Sequence, residues 1–369
     1  MVLLALRNLI SERTRFAFSA AGIGFAVFLI TVLLGLYQGW NQKVGGFVER
    51  VPVDGWVARQ GTTDFLNAAS ILPGTMGAQV AGRQGVASVD PLIVRPMAFY
   101  HNGAKVETQL VGFDTATGVG GPIAMDRGDG KPSGDEIVVD SVLARTRGLG
   151  IGDTLTSGSH SFKIVGVSNG GNFAFTQASF VNIHAAADLL QMGDAVTFWL
   201  FRVTPGTNVQ QLNVGIESAA PGVQVFTSHE FAQATRHRIL DSVIPIIGLI
   251  VGLAFIVGIA ITSLTIYTTT VERTREFGVM KAIGFNNMDL YKLVVNQSML
   301  TGTVGFVFGV ALTLLLSRFV DRLVPQFIVF VRAQDIALVL LATILMAAGA
   351  AIVPARRVGA VDPAVAFKG

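Results

Sequence analysis

The sequence contains no cysteine and few charged residues. Without cysteine, disulfide, thiolate and iron–sulfur chemistry are excluded for this chain. Only 14% of the residues are Asp, Glu, Lys or Arg, whereas soluble domains average about 25%. The net charge is only +3 and no basic tract is present, which disfavours nucleic acid as a partner. The composition therefore indicates a membrane protein with a polar insert.

Two kinds of functional motif are also missing. The phosphate-binding pattern G-x-x-x-x-G-K-[ST] does not occur, and the Gly-Lys within residues 127–134 has the wrong spacing and is followed by Pro132. The five histidines show neither an H-E-x-x-H motif nor an i, i+4 pair, so no metal site is expected. We therefore expect a chain that is not an enzyme and binds no cofactor itself.

Long apolar segments dominate what is present. Residues 16–37 lack Asp, Glu, Lys, Arg and His, and residues 293–317 lack them too. A membrane crossing needs about 20 such residues, so four crossings are predicted, at 16–40, 242–270, 292–317 and 336–355. A signal peptide is the alternative for the first segment. No charged side chain lies in the middle of a crossing, which disfavours ion or proton coupling within the bilayer.

Residues 41–238 have a different pattern. Gly, Asp, Asn, Ser and Thr separate short β-branched runs, and those at 136–141, 160–168, 198–204 and 223–226 are predicted strands. Residues 141–150 and 208–219 are predicted helices. The fold class is therefore membrane α-helical, with an α+β domain inserted between the first and second crossings.

Basic residues predict the orientation. The loop at 271–292 carries Arg273, Arg275, Lys281 and Lys292, and positive charge in a short loop is typical of the cytoplasmic side. Residues 1–15 contain three arginines and the spacing of an amphipathic helix. Both termini are thus predicted to be cytoplasmic and residues 41–238 extracytoplasmic. The loop at 318–335 carries three arginines as well, which weakens the argument.

The segment 271–284 is a charged island between two apolar segments. If it is helical, Phe277, Met280 and Gly284 lie on one stripe, and two pairs of opposite charge, Glu272 with Arg275 and Arg273 with Glu276, have i, i+3 spacing. Such pairs contribute only about 0.2–0.5 kcal/mol each. This charge density therefore favours a protein partner of complementary charge.

The same segment resembles a helix of the MacB/FtsX-type permeases of ABC transporters, with the pattern E-R-x-x-E-[IF]-G-x-x-K-A-[IL]-G. The tail resembles the ending of that family at Pro354, Ala355, Arg357, Asp362, Pro363 and Ala366. In the family this helix contacts the ATPase subunit. The resemblance implies the following coupling residues: Glu272, Arg273, Arg275, Glu276, Phe277, Gly278, Lys281, Ala282 and Gly284.

The resemblance also implies the partners. A separate ABC ATPase would bind ATP and Mg, and a second permease copy or a paralogue would complete a dimer in the plasma membrane, surrounded by lipid. The implied function is transmission of ATP-driven motion to the outer domain, which exports an amphipathic or hydrophobic substrate such as haem, a drug, a peptide or a lipid. The alternative is an FtsX-like signalling permease that activates an extracytoplasmic partner without moving a substrate.

Aromatic residues and glycine pairs near the crossings support two further predictions. Tyr37, Trp40 and Phe47 follow the first crossing, where they could line a lateral access path for substrate or belong to the interfacial aromatic belt. Three G-x-x-x-G pairs, at 35/39, 248/252 and 305/309, are typical of close helix contacts in lipid.

The predicted organisation runs as follows. It comprises a cytoplasmic amphipathic helix at 1–15, a first transmembrane helix at 16–40, a MacB-like extracytoplasmic domain at 41–238, an FtsX-like permease domain at 239–355 with three transmembrane helices and the cytoplasmic coupling loop 271–292, and a cytoplasmic tail at 356–369.

Overall fold

The structure is a computed structural model that describes residues 13–66, 70–173, 176–323 and 329–360. The chain divides into two compact units. The helical unit consists of the described parts of Met1–Gln38, Val243–Leu323 and Ile328–Gly369, and the sheet unit is centred on Gly39–Ser242. Most of the amphipathic helix predicted at 1–15, and Asp362, Pro363 and Ala366 of the tail, lie outside the described residues.

The sheet unit contains one mixed sheet. Within the described residues it has ten strands: β1 (Gly55–Arg59), β2 (Val86–His101), β3 (Ala104–Phe113), β4 (Ala124–Gly128), β5 (Glu136–Asp140), β6 (Thr154–Ser157), β7 (His160–Asn169), β8 (Ala178–Asn182), β9 (Phe198–Val203) and β10 (Val223–Thr227). Their order is β10-β1-β9-β2-β3-β8-β5-β7-β4, and β6 pairs with β2 and β7. The pairs β3–β8 and β5–β7 are parallel. The four strands predicted from β-branched runs are confirmed.

Successive side chains of the central strands enter two different cores. In β5, Ile137 and Val139 belong to one buried cluster and Val138 to another. Trp56 and Val57 of β1 divide in the same way. Because side chains alternate along a strand, both faces of the sheet are covered. The continuous apolar run at 137–139 follows from this double burial.

Within the described residues, five short helices and the start of a long one accompany the sheet: α2 (Gly46–Arg50), α3 (Thr75–Ala81), α4 (Ser141–Arg147), α5 (Ile183–Leu189), α6 (Val209–Ala219) and the start of α7 (Ser228–Glu272). Helices α3 to α6 contribute to the first core, and α2 and the start of α7 contribute to the second. Predictions of helices at 141–150 and 208–219 are confirmed, although α4 ends at Arg147 because Gly148 is left-handed, with φ of 66°.

A guanidinium fork fixes α2 to α7 within the sheet unit. Arg236 donates Nε to the carbonyl of Val44 at 3.0 Å, and its Nη1 and Nη2 donate to the Glu49 carboxylate at 2.8 and 2.6 Å. Phe47, on the same short helix, is only 1% exposed and packs against Phe65, Phe173 and Phe180. Bidentate pairing supplies geometric specificity as well as energy.

The helical unit contains the apolar helices. Among the described residues, four helices are long and apolar enough to cross a membrane: α1 (Arg13–Lys43), α7, α9 (Asn287–Leu323) and α10 (Ala333–Gly359). Their cores join Ile23 and Val27 of α1 to Val339 and Met346 of α10. Other large apolar side chains face outward, among them Leu249 and Leu345, which are 64% and 55% exposed. The prediction of four apolar helices is confirmed.

The helix that contains the second predicted crossing begins before that crossing. Helix α7 starts at Ser228, well before residue 242, and continues without interruption to Glu272. A capping box starts it, since the Thr227 hydroxyl accepts from the Glu230 N–H at 3.2 Å and the Glu230 carboxylate accepts from the Thr227 N–H at 2.9 Å. Pro245 lies inside the helix and does not end it.

Two of the predicted glycine pairs lie in different environments. A Cβ on Gly309 would stand 2.5 Å from the carbonyl oxygen of Gly24, and one on Gly305 would stand 2.8 Å from Ile23. Helices α1 and α9 therefore meet at a distance that only glycine permits. By contrast, nothing lies within 4 Å of a Cβ built on Gly248 or Gly252.

Candidate coupling site

The predicted coupling segment forms a short helix between α7 and α9. Helix α7 ends at Glu272, and α8 (Thr274–Ala282) follows after Arg273, which leaves the helical region with φ of −95° and ψ of 17°. Gly284 adopts φ of +105°, a conformation that favours glycine. A single helix over 271–284, the condition for the predicted stripe, does not form, because the chain turns at Arg273 and at Gly284. Gly284 therefore does not continue the stripe of Phe277 and Met280.

One face of α8 is buried within the helical unit. Phe277 is 5% exposed and shares a cluster with Ile266 of α7, Leu290 and Leu293 of α9 and Val358 of α10. Gly278 is buried and Met280 is half-buried beside this cluster. Three long helices thus fix the position of α8. Phe277 and Gly278, which the resemblance placed among the coupling residues, face the protein's own core.

The charged residues have partners within the chain. Arg15 of α1 donates Nη2 to Oε1 of Glu272 at 2.8 Å, and its Nη1 donates to Oε2. Glu272 therefore pairs with Arg15 and not with Arg275, which the i, i+3 spacing had predicted. The predicted pair of Arg273 and Glu276 is present, with Nη1 and Oε2 3.6 Å apart. The Arg15 contact spans 257 positions, so no local pattern indicates it.

Lys281 also faces inward. Its Nζ donates to the carbonyl of Gly359, at the end of α10, at 2.7 Å. Positions 277 and 281 are one turn apart and share the buried face. The resemblance assigned Lys281 to an ATPase contact, but its resolved bond lies inside the helical unit.

The other face of α8 is open to solvent. Arg275, Glu276, Val279, Ala282 and Ile283 are exposed, and we call these five residues the outer face of α8. Val279 is 46% and Ile283 70% exposed. Neither residue was among the predicted coupling residues, although the i, i+4 row of residues 275, 279 and 283 marks a single helix face. The outer face therefore combines two charges with exposed apolar groups.

The predicted access residues are not alike. Tyr37 and Trp40 on α1 are half-buried, whereas Phe47 on α2 lies inside the aromatic core of the sheet unit. Phe47 therefore serves packing in the described structure. Lateral access at Tyr37 and Trp40 stays a prediction.

Comparisons with known proteins identify the family. A model described as the MacB-like periplasmic core domain matches residues 16–219, and one described as FtsX-like permease C-terminal matches residues 248–363. An uncharacterized ABC transporter permease of Mycobacterium tuberculosis is 26% identical over 371 residues, which cover 100% of both chains.

Two further relatives match part of the chain. The macrolide export ATP-binding/permease protein MacB of Acinetobacter baylyi is 30% identical over 130 residues, or 35% of this chain and 19% of that protein. The crystal structure of the periplasmic region of MacB from Actinobacillus actinomycetemcomitans has 11% sequence identity and a TM-score of 0.39, and covers 50% of this chain and 92% of that one.

The resemblance drawn from residues 271–284 and from the tail is confirmed at the level of the family, since the two family models together match most of the chain. Membership also carries a partner, because an ABC permease implies an ABC ATPase. The chain belongs to the ABC transporter permeases of the MacB/FtsX type.

Proposed function

We propose that this permease transmits the ATP-driven motion of a separate ATPase subunit to the sheet unit, and so exports an amphipathic or hydrophobic substrate. The observation that carries the proposal is the two-sided character of α8. Its inner face is fixed by a core of three long helices, and its outer face is free of contacts from that core. A rigidly mounted helix with an open face suits the transfer of motion from a docked partner.

The composition of the outer face supports protein docking. Ile283 and Val279 expose apolar surface in a loop that is otherwise charged, and Glu276 is 63% exposed beside them. Apolar groups at the centre of a charged rim are typical of protein interfaces. The proposed docking residues are therefore Arg275, Glu276, Val279, Ala282 and Ile283.

The proposed orientation follows from charge. Four basic residues lie in or near α8: Arg273, Arg275, Lys281 and Lys292. An excess of Lys and Arg in a short loop favours the cytoplasmic side. ATP and Mg would be bound there by the ATPase, not by this chain. The sheet unit would then be extracytoplasmic, with both termini inside.

The proposed oligomer is a dimer of this chain or of this chain and a paralogue. One chain supplies one α8, whereas an ATPase pair with two-fold symmetry presents two docking surfaces, and a closed two-fold assembly satisfies both. Helix α7 offers the open contact: nothing lies within 4 Å of a Cβ on Gly248 or Gly252, whereas Gly305 and Gly309 of α9 are covered by α1. We therefore propose that the second copy packs on Gly248 and Gly252.

The proposed substrate class follows from the helices. Their middle parts carry no charged side chain, which disfavours an ionic path through the bilayer. Tyr37 and Trp40 on α1 are half-buried aromatic residues, a pattern suited to a molecule that enters from the lipid side.

The test is ATP hydrolysis by the permease and its cognate ATPase in nanodiscs, across a panel of haem, hydrophobic drugs, peptides and lipids. We expect at least one amphipathic compound to stimulate hydrolysis and to be released on the far side of vesicles. Stimulation by an extracytoplasmic protein, with no compound moved, would replace export by signalling. An ATPase that neither binds nor responds to the permease would contradict both.

A further inference from the structure

Lys281 is the one cationic side chain that the described part of α8 directs toward the end of α10. Its Nζ lies 2.7 Å from the carbonyl oxygen of Gly359, and the side chain is half-buried. The bond joins residues 78 positions apart. It thus links α8 directly to the fourth long helix and adds a polar contact to the shared apolar cluster.

The acceptor is a carbonyl at a helix end. The Ala360 N–H bonds to the carbonyls of Arg356, Arg357 and Val358, and these bonds do not involve the Gly359 carbonyl. The last carbonyls of a helix have no partner within it and carry the negative end of its dipole. An ammonium group is therefore well matched to this position.

The backbone of Gly359 is also packed closely against the Tyr291 side chain. A Cβ at this position would lie 2.3 Å from the Tyr291 hydroxyl oxygen of α9. The end of α10 is thus packed against α9 through Tyr291 and bonded to α8 through Lys281. These two contacts together fix the place of the acceptor carbonyl.

We propose that Lys281 is a positioning residue that fastens α8 to the C-terminal end of α10, so that the outer face of α8 and the fourth long helix move together. It acts through α8 and does not itself contact the ATPase. The consequence for coupling rests on the proposed function, but the fastening itself does not.

The test uses the absence of native cysteine. A spin label on Ile283→Cys reports the mobility of α8 in nanodiscs without any ATPase. The variant Lys281→Met should raise the ratio of detached to docked α8 about tenfold, the factor expected from losing one hydrogen bond to a charged donor. The variant Lys281→Arg keeps a cationic donor and should restore the docked spectrum. The matched control Lys292→Met removes an exposed lysine of α9 and should leave the spectrum unchanged.

Two outcomes would overturn the proposal: Lys281→Met that leaves α8 as immobile as in the parent, or Lys281→Arg that is as mobile as Lys281→Met. If Lys281→Met fails to insert, Lys281→Gln, which is too short to reach, carries the same expectation. Pull-down of the ATPase with unlabelled chains separates the two proposals. If Lys281→Met leaves α8 immobile but abolishes ATPase binding, Lys281 belongs to the docking surface. If Lys281→Met loosens α8 but the parent chain itself does not bind the ATPase, only the proposed docking on α8 is refuted.

Discussion

The sheet unit and the helical unit treat their apolar residues in opposite ways. In the sheet unit, Trp56, Phe198 and Phe201 are fully buried, and both faces of the sheet are covered. In the helical unit, Leu249 and Ile256 are among many large apolar side chains that are more than half exposed. The first arrangement removes apolar surface from water. The second is stable only where the surroundings are themselves apolar, so each unit is built for a different solvent.

Glycine illustrates the same difference. In the sheet unit, Gly148 ends a helix with a left-handed conformation, a role that depends on backbone freedom. In the helical unit, Gly305 and Gly309 lie in regular helix and allow α1 and α9 to approach. Close approach compensates for the absence of a hydrophobic driving force between helices in lipid.

The largest expected effect is on the stability of the buried core of the sheet unit. Phe198→Ala empties a site that Trp56, Phe65 and Phe231 surround. We expect a loss of about 3–5 kcal/mol in the free energy of unfolding of the sheet unit, since Phe→Ala changes in cores cost this much. Hydrogen exchange of strand amides in the full chain measures it. Val214→Ala, at a site that is 61% exposed, is the control and should change little.

The next prediction compares two side chains of similar exposure, one in each unit. Leu249 in α7 is 64% and Val214 in α6 is 61% exposed. Leu249→Arg lies off the centre of the crossing predicted at 242–270 and should impair insertion by up to about 2.5–3.5 kcal/mol, the cost of arginine at the centre of a transmembrane helix. Val214→Arg should stay within about 0.5 kcal/mol, as surface changes do. Glycosylation-based insertion assays and thermal unfolding, respectively, provide the readout. Equal tolerance of both changes would contradict a lipid-facing α7.

The third prediction concerns glycine in helices. Gly309→Ala places a methyl group against the Gly24 carbonyl, and overpacking of this kind costs about 1–3 kcal/mol. Gly252→Ala meets no atom within 4 Å and should be neutral in the isolated chain. Thermal unfolding of the monomer in detergent distinguishes them. If Gly252→Ala were the more damaging change there, the assignment of α7 as an open helix would be wrong.

The smallest expected effect is on dimer formation through Gly248 and Gly252 of α7. Gly248→Leu should leave the monomer stable but weaken dimer formation, because a large side chain holds helix backbones apart. Sedimentation in detergent or single-molecule counting in nanodiscs measures it. Leu253→Ile, on an exposed site of α7, is the control. Dimerisation unaffected by Gly248→Leu would move the proposed contact to another surface.

Much of this fold could be predicted because its signals are local. Hydropathy is sufficient for four long apolar helices, and β-branched runs at 136–140 and 160–169 mark strands that the structure contains. The start of α7 also has a local signal, the capping box from Thr227 to Glu230, whereas the apolar boundary at residue 242 marks only the predicted start of the crossing.

The coupling site was less accessible to prediction, since its decisive contacts join distant residues. Lys281 bonds to Gly359, and Glu272 bonds to Arg15. A sequence pattern shows that these charged residues are present, but it does not show whether their side chains contact the rest of the chain or face solvent. The structure buries Phe277 and Gly278 and bonds Lys281 to Gly359, whereas their contact with an ATPase stays a prediction. Ile283, the most exposed apolar residue of the outer face, fits the family pattern but was not among the predicted coupling residues.

The most direct test of the account is co-purification of the cognate ATPase with two charge-reversal variants. Glu276→Lys changes the outer face of α8, and Glu107→Lys changes a carboxylate of the sheet unit with similar exposure, 67% against 63%. We predict that Glu276→Lys inserts normally and loses the ATPase, while Glu107→Lys retains it. If Glu276→Lys, alone and combined with Ile283→Glu, binds the ATPase as the parent does, α8 is not the docking element and the account is contradicted.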